Sequence, residues 1–220
     1  MRVKICGIRN DADAKTAVTA GAHAIGMMVG QRYKSAEFIL PSTACRIAAG
    51  LPPFVTPVIV TQLDEVEEIL AIIRKSEIVS IQLHGALAPE QVRAIRGFLP
   101  TGGMIIMAAY ITRGVCPDLS EYYPYIDAIQ ADACNGATAR IETEEHREFY
   151  WQDTAEFVAR CPLPVILSGG LTPENVAEAA RNVNPYCVDV TRGVKDPDGE
   201  SCCWSRCRAF LNAAAGIGAG

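Results

Sequence analysis

The chain has 220 residues, of which 50% are hydrophobic and 20% are charged, and its formal net charge is −5 with a pI near 5.3. This length is sufficient for a complete hydrophobic core and favours one domain over residues 1–220. The acidic balance, without a run of Lys and Arg, argues against nucleic acid as a partner. No apolar run approaches the roughly 20 residues of a membrane span, and the basic start lacks the apolar region of a signal peptide. We therefore expect a soluble cytoplasmic protein without a membrane partner.

Nine cysteines are a high number for this length, but the number is odd and no export signal precedes them. Reduced thiols are therefore expected rather than disulfides. Cys202, Cys203 and Cys207 lie close together, which invites a metal-binding interpretation. No fourth ligand lies nearby and the three histidines are scattered, so we predict that these cysteines pack in a core and bind no metal.

Strand and helix patterns alternate along the chain. Eight continuous apolar runs are predicted as strands: residues 3–6, 24–29, 55–60, 78–83, 104–109, 125–131, 163–167 and 186–190. Helical patterns are predicted at residues 12–20, from 41, 64–75, 89–98, 150–160, 173–182 and about 203–214, with a short helix between 112 and 125. Continuous apolar strands indicate a parallel sheet buried on both faces. Eight such units predict an α/β protein with a (β/α)8 TIM barrel rather than an open doubly wound sheet.

The first strand ends at Cys6, and Gly7 allows a sharp exit from it. Asn10 and Asp11 are candidates to cap the helix that follows. A thiol at the carboxyl end of a parallel strand lies where barrel enzymes carry their chemistry, although a buried cysteine is more often simply a small hydrophobic residue. Lys4 lies inside the strand, where its charge could neutralise carboxylates within the barrel.

Two glycine-containing loops follow the last two predicted strands, at Ser168 to Leu171 and at Thr191 to Val194. Backbone N–H groups of such loops approach anions, and a helix beginning near Thr172 would add its positive end. Because loops after strands seven and eight form the recurrent phosphate site of this fold, we predict phosphate binding there.

Polar residues also end two other predicted strands. Asp132 ends the sixth strand, where it either faces the barrel mouth or caps a helix. Gln82 and His84 end the fourth, and His84 is either a group that faces a ligand or a histidine satisfied by neighbouring backbone.

Five segments resemble the phosphoribosylanthranilate isomerases of tryptophan biosynthesis, in order and in spacing over nearly the whole chain. The segments are Lys4-Ile-Cys-Gly-Ile-Arg-Asn10, Gly21-Ala22-x-Ala24-x-Gly26, Gln82-Leu83-His84-Gly85, Ser168-Gly169-Gly170-Leu171-x-Pro173-Glu174-Asn175-Val176 and Val188-Asp189-Val190. The resemblance implies an aldose–ketose isomerase that performs an Amadori rearrangement on a phosphorylated sugar, as a monomer or homodimer without metal or cofactor.

The resemblance also implies roles for individual residues. Cys6 would be the general base that removes the sugar C2 proton, and Asp132 the general acid that protonates the ring oxygen. A thiol with a pKa of about 8.5 needs a cationic neighbour to act as thiolate, for which Lys4 and Arg9 are the candidates. The expected substrate-binding residues are Gly169, Gly170, Arg192, Gly193, Gln82, His84, Lys4 and Arg9.

The chain departs from the family pattern at the groups that would recognise the aglycone, the part of the substrate attached through nitrogen. The family's Ser-Pro-Arg, whose Arg holds the anthranilate carboxylate, is Ser35-Ala36-Glu37, so Arg32 or Lys34 would have to substitute. The loop after strand eight gains Arg192 and Lys195, and charged sequence of unassigned role occupies residues 133–148.

Three hypotheses therefore remain. The first is phosphoribosylanthranilate isomerase activity, and the second is a related isomerase acting on another phosphorylated sugar derivative. The third is a non-catalytic barrel that binds a sugar phosphate.

Overall fold

Eight parallel strands form a closed barrel in chain order, from β1 to β8 and back to β1. This computed structural model describes residues 1–32, 35–111, 115–132, 144–197 and 199–216, with only the backbone described for 144–149. The strands are β1 Arg2–Ile5, β2 Ala24–Met28, β3 Thr56–Thr61, β4 Ser80–Leu83, β5 Met104–Tyr110, β6 Ala128–Asp132, β7 Val165–Leu167 and β8 Cys187–Val190. The predicted (β/α)8 barrel is confirmed.

Seven α-helices accompany these strands within the described residues, and none of them is long and apolar enough to cross a bilayer. They are α1 Asp11–Ala20, α2 Pro41–Ala49, α3 Val66–Ser76, α4 Pro89–Phe98, α5 Glu144–Arg160, α6 Val176–Val183 and α7 Trp204–Ala215. Between β5 and β6 the described residues form only a 3₁₀ turn, Tyr123–Tyr125. This agrees with the short helix predicted there.

Three predicted boundaries were wrong by three residues or more. Strand β6 begins at Ala128 instead of residue 125, because the 3₁₀ turn around Pro124 occupies the preceding residues. Helix α5 begins at Glu144, within the charged segment that offered no clear period. Helix α6 begins at Val176 instead of residue 173, because Thr172–Asn175 form a separate turn. The part of the charged segment at residues 133–143 lies outside the described residues.

The first helix is set by the residues that flank it. Asn10 is its N-cap, as predicted, and its side-chain oxygen accepts a hydrogen bond from the Asp13 amide at 2.9 Å. Gly21 ends the helix with a φ of 107°, a left-handed conformation that glycine adopts without strain. This fixed start and stop return the chain to the barrel for β2.

Side chains alternate between the barrel interior and the helical layer. Val3 and Ile5 pack in the main core against the helices, so Lys4 and Cys6 face the interior. A separate apolar cluster fills the interior of the barrel: Val58, Ile106, Ala128, Ile166 and Cys187. The next interior positions along β6 and β8 are Gln130 and Asp189, so a polar layer lies on the carboxyl side of that cluster. The site is built on this layer.

Candidate active site

A buried ion pair between neighbouring strands forms the floor of the site. The Nζ atom of Lys4 lies 2.7 Å from Oδ2 of Asp189, and the two side chains are 2% and 4% exposed. Burial alone would lower the pKa of Lys4, but Asp189 chiefly, with Cys6, raises it above its ordinary value. The prediction that Lys4 neutralises a carboxylate inside the barrel is confirmed. Sequence reasoning did not single out Asp189 itself, although the alternation along β8 places it on the interior face.

Three acceptor oxygens of this polar layer have no hydrogen-bond partner among the described residues. They belong to Asp189 (Oδ1), Gln82 (Oε1) and Gln130 (Oε1). Buried acceptors of this kind are normally satisfied by water or by a ligand. The layer therefore offers hydrogen-bond acceptors to hydroxyl groups that enter the barrel.

Cys6 lies directly above Lys4, immediately after the end of β1. Its amide donates to the Val190 carbonyl at 2.8 Å, and the residue is 3% exposed. Its position depends on Gly26 of β2, because a Cβ atom there would lie 2.5 Å from the Cys6 Sγ and 3.1 Å from the Lys4 Nζ. The absence of a side chain at Gly26 thus leaves room for both functional groups.

The Cys6 thiol is a weaker acid than the sequence suggested. Burial raises its pKa to about 11, since the favourable charge of Lys4 is opposed by Asp189 and Glu37. Arg9, the other predicted cationic neighbour, is directed elsewhere. Its Nε lies 3.2 Å from Oδ2 of Asp13, one helical turn later in sequence, and its Nη1 lies 3.8 Å from Glu200. Of the two candidate cationic neighbours, Lys4 lowers the pKa of Cys6, as the sequence suggested, but burial outweighs this effect.

We expect alanine at Gly26 to disturb both the fold and the thiol. The added methyl group must displace Cys6 or Lys4, and overpacking of this kind costs about 1–3 kcal/mol of unfolding free energy. Denaturant titration measures this loss. Gly97 in α4 is the control, because no atom lies within 4 Å of a Cβ placed there and Gly97→Ala should instead stabilise by about 0.5–1 kcal/mol. Equal stability of the two variants would contradict the role given to Gly26.

His84 belongs to a hydrogen-bonded chain at the end of β4. Its Nε2 faces the Gln82 amide, and its Nδ1 lies 3.1 Å from the Tyr110 hydroxyl. Burial, and then the charge of Lys4, lower its pKa to about 4, so the imidazole is neutral near pH 7. An adjoining cavity of about 430 Å³ is lined by His84, Tyr110, Leu87 and Tyr122, among others. Tyr110 was missed because the predicted strand ended one residue before it.

The depressed pKa of His84 predicts a loss of stability in acid. The unfolded chain binds a proton at His84 below its ordinary pKa of 6.5, whereas the folded protein resists it until about pH 4. The contribution is therefore complete above pH 6.5, and about 3 kcal/mol of unfolding free energy is lost as the pH falls to 4. Urea titrations across this range should show a smaller loss in His84→Asn. A pH dependence in His84→Asn equal to that of the wild type would refute the assignment.

The loops after β7 and β8 lie against each other, as predicted. A Cβ atom at Gly193 would lie 2.1 Å from the Leu171 carbonyl oxygen, so only glycine permits this contact. Gly169 and Gly170 adopt φ angles of 91° and 65°, which likewise favour glycine. Arg192 is exposed and begins a 3₁₀ turn directly after β8.

The helix expected to begin beside these glycines starts further along. A turn at residues 172–175 intervenes before α6, and within it Asn175 accepts from the Thr172 amide at 2.8 Å and donates to the Gly170 carbonyl at 3.0 Å. The α6 terminus is thus displaced from Gly169 and Gly170. The groups there that could bind an anion are the backbone amides of the two loops and Arg192.

Asp132 is the last residue of β6 and is paired in register with Tyr110 of β5. It is partly buried, and the alternation along β6 directs it to the same interior as Gln130. Cys6 and Asp132 thus lie at the same end of the barrel, with β7 and β8 between their strands.

The cysteines near the carboxyl end do not form a metal site within the described part of the chain. Cys202 and Cys207 are buried in the main core and Cys203 is the N-cap residue of α7.

Two cations were predicted to recognise the aglycone. Lys34 lies outside the described residues. Arg32 is paired with Asp64 at the surface.

Polar and thiol side chains gathered at the carboxyl ends of a closed parallel barrel define a (β/α)8-barrel enzyme. A sequence model of the N-(5'-phosphoribosyl)anthranilate (PRA) isomerase family matches residues 3–200. The chain belongs to this family and is an isomerase.

Individual relatives agree with this assignment. N-(5'-phosphoribosyl)anthranilate isomerase 2 of Methanosarcina mazei is 37% identical over 199 residues, which are 90% of this chain and 88% of that protein. A crystal structure of phosphoribosyl anthranilate isomerase with reduced 1-(o-carboxyphenylamino)-1-deoxyribulose 5-phosphate has a TM-score of 0.78 and 31% identity, over 98% of this chain and 99% of that one. Monomers of the dimeric Thermotoga maritima enzyme give a TM-score of 0.77 and 30% identity, over 98% and 99% of the two chains.

Proposed function

We propose that the protein converts N-(5'-phosphoribosyl)anthranilate to 1-(o-carboxyphenylamino)-1-deoxyribulose 5-phosphate, an Amadori rearrangement in tryptophan biosynthesis. The observation that carries the proposal is the placement of Cys6 and Asp132 at one end of the barrel interior, in a chain 37% identical to a named isomerase of this substrate. The reaction needs one acid and one base acting on neighbouring sugar atoms, and these two residues supply them.

The reaction begins with opening of the furanose ring. The Asp132 carboxyl donates its proton to the ring oxygen, the bond between C1 and that oxygen breaks, and the nitrogen lone pair forms an iminium with C1. Cys6 then removes the C2 proton, and the electron pair of the C–H bond neutralises the iminium and leaves an enolamine. Proton gain at C1 and proton loss from the C2 hydroxyl give the ketone, so the overall change is an isomerisation.

The high thiol pKa makes the order of these steps important. With a pKa of about 11, only about one Cys6 in 10⁴ is a thiolate at pH 7. The iminium formed by ring opening places a positive charge beside the thiol, and a nearby positive charge favours the thiolate. Ring opening thus supplies the cationic neighbour that Lys4, already paired with Asp189, provides only in part.

The remaining residues would bind the substrate. Gly169, Gly170 and Gly193 present backbone amides to the phosphate, and Arg192 supplies an exposed cation beside them. Lys4, Gln82 and His84 reach the sugar or the aglycone from the barrel floor and from the cavity beside β4. Arg9 would act only indirectly, by fixing the start of α1 through Asp13.

The direct test is turnover of fluorescent N-(5'-phosphoribosyl)anthranilate, followed by loss of its fluorescence. We expect conversion by the wild type, and a kcat lower by roughly 10²–10⁴-fold in Asp132→Asn, which keeps the shape but has no proton to donate. No conversion by well-folded wild-type protein would refute the proposal. Tight binding of the substrate analogue without turnover would support a sugar-phosphate-binding barrel instead.

A second candidate is the same rearrangement with a different aglycone. Glu37 lies at the barrel mouth, where its carboxylate would repel that of anthranilate. Conversion of an N-phosphoribosyl carboxamide in preference to the anthranilate compound would favour this second candidate.

For the assembly we propose a monomer or a homodimer, because the Thermotoga maritima relative is named as dimeric. Light scattering distinguishes the two.

A further inference from the structure

Lys195 is a buried cation that neither the acid–base chemistry nor phosphate binding uses. Its side chain is 1% exposed, although it follows the loop after β8. The Nζ atom donates to the Gly7 carbonyl at 2.9 Å and to the Glu200 carbonyl at 3.1 Å. A buried ammonium that binds two backbone carbonyls fixes the segments that carry them.

The Gly7 carbonyl belongs to the turn that carries Cys6. Gly7 has a φ of 75°, and a Cβ atom there would lie 2.8 Å from the Thr191 side chain and 3.0 Å from a Glu37 oxygen. The turn is therefore enclosed by the loops after β2 and β8. The hydrogen bond from Lys195 to the Gly7 carbonyl joins this turn to the segment that follows β8.

Glu37 provides the counter-charge. Its Oε1 lies 3.9 Å from the Lys195 Nζ, and its side chain is 19% exposed. The charged groups that act on Cys6 are Lys4 from its own strand, Asp189 from β8 and Glu37 from the loop after β2, and Lys195 lies beside Glu37. The negative charge of Glu37 disfavours the thiolate form of Cys6, and the positive charge of Lys195 offsets part of that negative charge.

We propose that Lys195 is a positioning residue for the isomerisation, which holds the Cys6–Gly7 turn in place through the Gly7 carbonyl, with Glu37 as its charge partner. The proposal rests on the role of Cys6 in the proposed function. In this role Lys195 does not contact the substrate. Displacement of a reacting group by about 1 Å costs roughly 10²-fold in rate, so a clamp on this turn has a measurable effect.

Lys195→Met tests the clamp, because methionine keeps the length of the side chain and removes the donor. We expect kcat to fall roughly 10–100-fold with little change in KM. Hydrogen exchange at the Ile8 amide, which is bonded to the Gly26 carbonyl, should accelerate at the same time. Arg208→Met is the matched control, because Arg208 also donates to a backbone carbonyl, that of Ala20 at 3.1 Å, but does not contact Gly7, and its kcat should equal that of the wild type. An equal fall of kcat in both variants, or no fall in Lys195→Met, would overturn the proposal.

Glu37→Gln gives a second test that does not depend on activity or on the stability of Lys195→Met. Loss of the Glu37 charge should increase the rate of Cys6 alkylation by iodoacetamide at pH 9 roughly threefold. The rate is quantified by mass spectrometry of the peptide containing Cys6. Glu200→Gln, which removes an exposed carboxylate paired with Arg9, should leave the rate unchanged. An unchanged rate in Glu37→Gln overturns the electrostatic role given to Glu37 beside Cys6, even if the proposed substrate proves wrong.

Discussion

Replacement of Cys6 by alanine is expected to lower kcat for N-(5'-phosphoribosyl)anthranilate by roughly 10²–10⁴-fold, the usual contribution of a general base. Alanine cannot accept the C2 proton, while the cavity that it leaves is small. Cys187→Ala is the matched control, because Cys187 is also buried inside the barrel, with a pKa raised by burial to about 12, and lies in the apolar cluster below the polar layer. We expect its kcat to remain within about twofold of the wild type.

A loss of activity in both cysteine variants would contradict this assignment, because it would indicate damage to the barrel and not loss of a base. Alkylation provides an independent measure of the thiol. Since the thiolate is the reactive form, the rate at Cys6 should rise about tenfold per pH unit between pH 8 and 10 and level off near pH 11. A midpoint near pH 8 would mean that Lys4 dominates the environment of the thiol, contrary to the effect of burial.

Lys4→Met should be the most destabilising substitution in the barrel interior, lowering the free energy of unfolding by about 3–5 kcal/mol. It leaves the Asp189 carboxylate buried and without its partner at 2.7 Å. The loss should be measured by urea titration at pH 7. The double variant Lys4→Met with Asp189→Leu should recover much of this loss, because it removes both buried charges together.

The surface pair of Arg46 and Asp11 provides the comparison for this prediction. Both of its side chains are more than half exposed, so Arg46→Ala should cost at most about 1 kcal/mol. A comparable cost at Lys4 and at Arg46 would show that water reaches the interior pair and screens it. The double variant of Lys4 and Asp189 should remain inactive even when it is stable, because it lacks the ion pair in the polar layer beneath Cys6.

The architecture was predictable because its signals are local. Continuous apolar runs between helical patterns can be satisfied only by strands buried on both faces, and eight of them close a barrel. Asn10 and Gly21 fixed the first helix by their own backbone and side-chain preferences. The boundaries near Pro124 and Thr172 were missed because turns there compete with the elements that follow them.

The candidate site was predictable in position but not in its electrostatics. Cys6, Asp132, His84 and the loops after β7 and β8 stand at strand ends, which parallel topology brings to one face. In the sequence, Lys4 and Arg9 both lie within three residues of Cys6, and both were candidates for its cationic neighbour. Arg9 instead pairs with Asp13 one helical turn later, whereas Lys4 meets Asp189, a residue 185 positions away in the chain.

The sequence by itself thus determined the barrel, the family pattern and the identity of the residues at the mouth, because these depend on local periodicity and on order along the chain. Only the tertiary structure decided the charge state of the Cys6 thiol and the partners of Lys195 and Glu37. The physical reason is that a pKa depends on burial and on charges brought together by distant strands, and neither can be obtained from neighbours in sequence.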